Sequence, residues 1–97
     1  MTELTFLGEL ESIVLDRMDN PPAGSYTAEL FAAGTKRIAQ KLGEEGIELS
    51  LAAVSGDREE IIEEAADLLY HSIVLLAERD IRLSDVVAKL QSRHSRA

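Results

Sequence analysis

Two short acidic clusters carry the chemistry this sequence can perform. Glu44-Glu45-Gly46-Ile47-Glu48 is separated by fifteen residues from Glu64-Ala65-Ala66-Asp67. Residues 44–67 hold nine acids (Glu44, Glu45, Glu48, Asp57, Glu59, Glu60, Glu63, Glu64, Asp67) and one base, Arg58. The rest of the chain holds nine acids and nine bases, so the formal net charge of −8 sits wholly in this stretch. Two carboxylates about 4 Å apart repel by roughly 4 kcal/mol at an effective dielectric of 20, and burial would ordinarily force them to protonate. A hard divalent cation removes both difficulties. Mg²⁺ accepts oxygen ligands in octahedral geometry and keeps positions open for water and substrate phosphates. Mn²⁺, with the same preference for oxygen, can substitute.

The elements that must position these acids are helices. Four or five can be read, with no convincing strand: about Glu3 to Met18, a short segment from Ser25 to Ala33, a third to about Val54, a fourth from Arg58 to about Arg79, and a last from Asp85 to about Ser92. The run Asp19-Asn20-Pro21-Pro22-Ala23-Gly24 ends the first helix. Ser25, Thr35 and Ser84 are the expected N-caps of the second, third and fifth, and Asp57 with Glu60 has the spacing of a capping box. The tail over residues 93–97 is expected to fray.

Placing residues 100° apart turns spacing into faces. On the third helix, with Ile38 at 0°, Leu42, Leu49 and Ala53 fall between about 20° and 60°, and Glu45 lies inside that apolar arc at about 340°. Lys41, Glu48 and Glu44 follow at about 300°, 280° and 240°, while Ile47, Val54 and Leu51 occupy the opposite side. A helix apolar on two sides is buried on more than one face, so the acids are expected to be wedged between packing surfaces. On the fourth helix, Glu64, His71, Glu60 and Asp67 form one stripe beside the main apolar arc. The turn at residues 55–57 is short enough to make the two helices antiparallel neighbours, with Glu45 and Glu48 facing Glu64 and Asp67. Gly43 and Gly46 are unfavourable inside a helix, and beside the acids they suggest close approach of another backbone or a ligand.

Composition agrees with an all-α bundle in a single domain over residues 1–97. The chain is 45% hydrophobic, with four aromatic residues and no Trp, so its core must come mostly from Leu, Ile, Val and Ala. Cysteine is absent, which excludes disulfides, thiolate metal sites and a cysteine nucleophile and fits a cytoplasmic location. There is no signal-peptide pattern at the N-terminus and no apolar run of membrane-spanning length, and the negative charge argues against a nucleic-acid partner.

These residues resemble the all-α nucleoside triphosphate pyrophosphohydrolases of the MazG-like superfamily, whose signature is EExxE followed by ExxD. The likeness is closer to phosphoribosyl-ATP pyrophosphohydrolase. It rests on Ser25-Tyr26-Thr27, on GTKRIAQKLGEEGIE from Gly34 to Glu48, on EEAADLLYH from Glu63 to His71, and on the segment Ile81 to Val86. The resemblance implies hydrolysis of 1-(5-phosphoribosyl)-ATP between its α and β phosphates, the second step of histidine biosynthesis. No second catalytic domain follows, so the stand-alone form is expected.

On this reading Glu45, Glu48, Glu64 and Asp67 hold Mg²⁺, and Glu44 orients or deprotonates the attacking water. Lys41 either contacts a phosphate or simply pairs with Glu44 or Glu45. Ser25, Tyr26 and Thr27 are substrate contacts by resemblance, while physics alone makes them cap and packing. His71 either contacts substrate or supports the site from a packed helix edge. Lys36 and Arg37 either attract the anionic substrate or lie on solvated surface. Two rivals stand beside it: a house-cleaning dNTP pyrophosphatase with the same metal chemistry, and a non-enzymatic helical interaction module. The two-sided third helix, in either enzyme, predicts a symmetric homodimer.

Overall fold

The computed structural model describes residues 2–94, and among these there are helices and no strand. A 3-10 turn, Glu3–Thr5, leads into α1 (Phe6–Asp19), followed by α2 (Tyr26–Ala33), α3 (Thr35–Ser55), α4 (Arg58–Glu78) and α5 (Leu83–His94). The all-α architecture is as the sequence implies. α3 and α4 form the most extensive interface, an antiparallel pair joined through Gly56 and Asp57, and α1 and α2 pack across it.

The core is small and aliphatic. Val14 from α1, Leu30 from α2, Ile38 from α3, and Ile73, Val74 and Ala77 from α4 form one buried cluster. These positions recur at helical spacing on each element, so a single apolar stripe per helix meets at the centre. α5 stands apart: none of its residues is buried, and it touches the other helices only marginally.

Several helix ends differ from the sequence reading. Ser25 does cap α2, its Oγ accepting from the Ala28 N–H at 3.1 Å. Thr35, expected to cap α3, is instead its first residue, and its hydroxyl donates to Glu78 Oε1 at 2.6 Å across the bundle. Gly34 takes the capping position at φ 94° and ψ 177°, a conformation side-chain-bearing residues avoid, so one residue ends α2 and starts α3. Asp57 caps α4 through the Glu59 N–H at 3.2 Å rather than through a reciprocal box with Glu60. The start of α5 is held not by Ser84 but by two carboxylates, one in its own first turn and one from α1. Asp85 Oδ2 accepts from the Arg82 N–H at 2.9 Å, and Glu11 Oε2 from the Leu83 N–H at 2.6 Å. A cap from a distant helix leaves no local spacing to read. α5 also runs through Arg93 and His94, which the fraying expectation placed in the tail; residues 95–97 lie outside the described residues.

Ile38 is fully buried where all the main helices meet. Ile38→Ala should lower unfolding free energy by about 2–5 kcal/mol, measured by denaturant titration with unchanged native helicity.

Candidate metal centre

The α3–α4 pair sets the acids face to face. The turn between them reverses the chain, so residues advancing along α3 lie opposite residues receding along α4. One carboxylate oxygen from each of Glu45, Glu48 and Glu64 lies within 4.8 Å of the others. Glu45 is 6% exposed although it is an acid, because its place in the apolar arc of α3 turns it into the bundle. Its Oε2 and the Oε2 of Glu64 are buried with no hydrogen-bond partner.

The electrostatics record the strain. Burial first, then the charges of Glu48 and Asp67, push the Glu45 carboxyl above its ordinary value, partly opposed by His71 and Lys41. Glu64 is raised to about 7, first by a hydrogen bond shared with Glu48, then by burial, then by repulsion from Glu48, Glu45 and Asp67. Two orphaned buried oxygens beside a third carboxylate are what a hard cation satisfies, so these residues fit a divalent metal. Glu45, Glu48 and Glu64 would hold it.

The remaining candidate residues divide. Asp67 is exposed and is not one of the three that converge, although its charge reaches both Glu45 and Glu64. Glu44 and Glu48 are exposed as well, so the acidic strip is not wedged as a whole; only Glu45 is. Glu44 Oε2 accepts weakly from Gln40 Nε2 at 3.4 Å. Lys41 Nζ lies 3.8 Å from both Glu44 and Glu45, the ion-pair arrangement its spacing allows. Lys36 and Arg37 are exposed on the first turn of α3. Arg37 precedes Glu44 by seven residues, about 10 Å along the axis and two turns away on the same side of α3. Gly43 and Gly46 have open space where a side chain would sit, so neither marks a close approach within the chain.

Ser25 serves as the cap of α2, whereas Tyr26 and Thr27 reach α4 at Tyr70 and His71. Tyr26 Oη lies 3.1 Å from His71 Nε2, and Thr27 Oγ1 is hydrogen-bonded to the Tyr70 hydroxyl. Burial pushes the Tyr70 phenol up, so it remains protonated. Tyr70 was not singled out by the sequence. Its adjacency to His71, in a chain with only two tyrosines, was the available signal.

Residues 7–94 match the family described as phosphoribosyl-ATP pyrophosphohydrolase. The chain belongs to the phosphoribosyl-ATP pyrophosphohydrolase family. Relatives named "Histidine biosynthesis bifunctional protein HisIE" agree with it along nearly its whole length. That of Photobacterium profundum is 55% identical over 93 residues, covering 96% of this chain and 45% of the relative. That of Vibrio cholerae is 52% identical over 93 residues, 96% of this chain and 44% of the relative. That of Yersinia pestis is 50% identical over 95 residues, 98% and 47%. The chain thus spans about half the length of these curated relatives. Membership in this hydrolase family, read from the motif acids and the Ser25 and His71 segments, is borne out. Among the described residues no helix is long and apolar enough to cross a membrane.

The raised Glu64 value makes the pyrophosphohydrolase domain pH-sensitive without metal. Its carboxyl titrates near 7 when folded against an ordinary 4.5, so this contribution to stability is full below about 4.5 and lost as pH rises through 7. Cation-free protein should melt higher at pH 5.5 than at pH 8, by circular dichroism, and Glu64→Gln should flatten that slope. Millimolar Mg²⁺ or Mn²⁺ at pH 8 should raise the melting temperature; no shift would contradict a metal centre here.

Proposed function

We propose that this domain hydrolyses 1-(5-phosphoribosyl)-ATP to 1-(5-phosphoribosyl)-AMP and pyrophosphate, with Mg²⁺ as its cation, in the cytoplasm and as a homodimer. The observation that carries the reading is the convergence of Glu45, Glu48 and Glu64 with two buried oxygens unsatisfied, in a chain of this family. A triphosphate at neutral pH cannot approach such a cluster unless the charges of both are compensated. Bound there, the cation would neutralise phosphate charge and polarise the attacked phosphorus.

The chain's own residues then have distinct parts. Glu45, buried and aligned by α3, and Glu64 from α4 anchor the centre, with Glu48 closing it from the solvent side and Asp67 adding charge from α4. Glu44, exposed and one residue before Glu45, accepts a proton from the water that attacks the phosphorus. The P–O bond between the α and β phosphates breaks and pyrophosphate leaves. Lys41, already poised between Glu44 and Glu45, turns its ammonium group from the carboxylates to pair with a phosphate oxygen when substrate arrives.

Support for the dimer comes from what one chain leaves uncovered. Ile47, Leu51 and Val54 on α3, and Val86, Val87 and Leu90 on α5, are exposed. The radius of gyration is 14.7 Å, against about 12.5 Å for a compact domain of this length, so the chain is extended for its size. A second copy would cover the α3 face beside the metal centre.

Pyrophosphate release from phosphoribosyl-ATP should require a divalent cation and fall by about 10- to 100-fold in Glu48→Gln or Asp67→Asn, with helicity intact. A dNTP turned over far faster than phosphoribosyl-ATP would sink the substrate assignment. Sedimentation at micromolar concentration should give a dimer, and Leu51→Lys should shift it to monomer.

A further inference from the structure

Both tyrosines of the chain meet at one place, and the polar groups there are fully engaged. His71 is 5% exposed, and its Nδ1 lies 2.9 Å from the backbone carbonyl of Asp67. A carbonyl only accepts, so Nδ1 carries the proton; in the neutral ring Nε2 then accepts, and the Tyr26 hydroxyl donates to it. The two rings meet edge to face, with centroids 6.0 Å apart and planes at 82°. On another side the Tyr70 ring lies 6.3 Å from Tyr26 at 28°, itself tied by its hydroxyl to Thr27. Tyr26 is thereby held from two directions, yet it stays 47% exposed.

An aromatic ring fixed this firmly and left this open is arranged to receive a flat partner. Its location says which. His71 follows Glu64 by seven residues on α4, about 10 Å along the axis, so the ring stands roughly two helical turns from the acidic cluster, on the same stripe. The base of a nucleotide lies one sugar away from its α-phosphate, a comparable separation. We propose that Tyr26 is the stacking surface for the substrate's purine and that His71 is the positioning residue that fixes its ring. This rests on the nucleotide substrate proposed above and adds how its base is held.

The test measures binding of AMP and of ribose 5-phosphate to the full chain by calorimetry, and steady-state kinetics with phosphoribosyl-ATP alongside. Tyr26→Leu should weaken AMP binding about ten-fold or more, as loss of one base–aromatic stack does, and leave ribose 5-phosphate unchanged. In kinetics the same variant should raise KM and spare kcat. Tyr26→Phe and His71→Leu should each weaken AMP by roughly three- to ten-fold, the worth of one neutral hydrogen bond, and the double variant by no more than either alone. His71→Gln, whose amide oxygen can accept from the tyrosine, should recover most of the loss. AMP binding unchanged in Tyr26→Leu, or equal weakening for ribose 5-phosphate, overturns the inference. Wild-type protein that binds AMP but does not turn over phosphoribosyl-ATP would sink the substrate reading and leave the stacking contact standing.

Discussion

Crowded negative charge between α3 and α4 is the constraint on which the rest of this structure depends. Three carboxylate groups meet within a few ångströms, one of them nearly buried, and His71 and Lys41 only partly oppose their repulsion. The surrounding architecture makes sense as the frame that tolerates this. The aliphatic cluster around Ile38 and Val74 clamps the two helices at one end, and the short turn at Gly56 ties them at the other. Between the clamps the acids cannot splay apart without breaking apolar packing, so the repulsion appears as raised proton affinity instead. Without metal, a proton shared between Glu48 and Glu64 does part of what a cation would do.

The same constraint shapes the chain's charge distribution. The stretch from Glu44 to Asp67, which spans the end of α3 and the start of α4, holds nine acids and one base, equal to the whole net charge of −8, and the remainder of the chain is balanced. An acidic surface would repel a polyphosphate substrate. The observed concentration limits that penalty to the one place where a cation compensates it.

Much of this was legible in the sequence because helical periodicity is strong where the site lies. Glu45 falls inside the apolar arc of α3 by simple angular placement, and it is the acid found buried. The pairing of the two acidic motifs follows from the shortness of the turn at 55–57. What escaped notice involves contacts distant in sequence. Thr35 reads as a cap but bonds Glu78 on another helix, and α5 begins on Glu11, seventy-two residues earlier. No local spacing encodes such partners. Asp67 illustrates a different limit. Its spacing from Glu64 places it on the right stripe, yet an aspartate is one methylene shorter, and its oxygens stay outside the converging group. For Lys36 and Arg37, charge alone was the signal, and both are exposed at the start of α3.

Gly34 joins two helices with a single residue whose backbone angles are closed to side chains, and that corner acts as a pivot. α2 extends from it over eight residues, about 12 Å, with Tyr26 at its other end. A twist of about 10° at the pivot would swing the tip by roughly 2 Å, enough to part a phenol from an imidazole. The aromatic corner beside the acids therefore keeps its geometry only because α2 is tied to α4 at both ends, by Thr35 to Glu78 beside Gly34 and by Tyr26 and Thr27 to His71 and Tyr70 at the other.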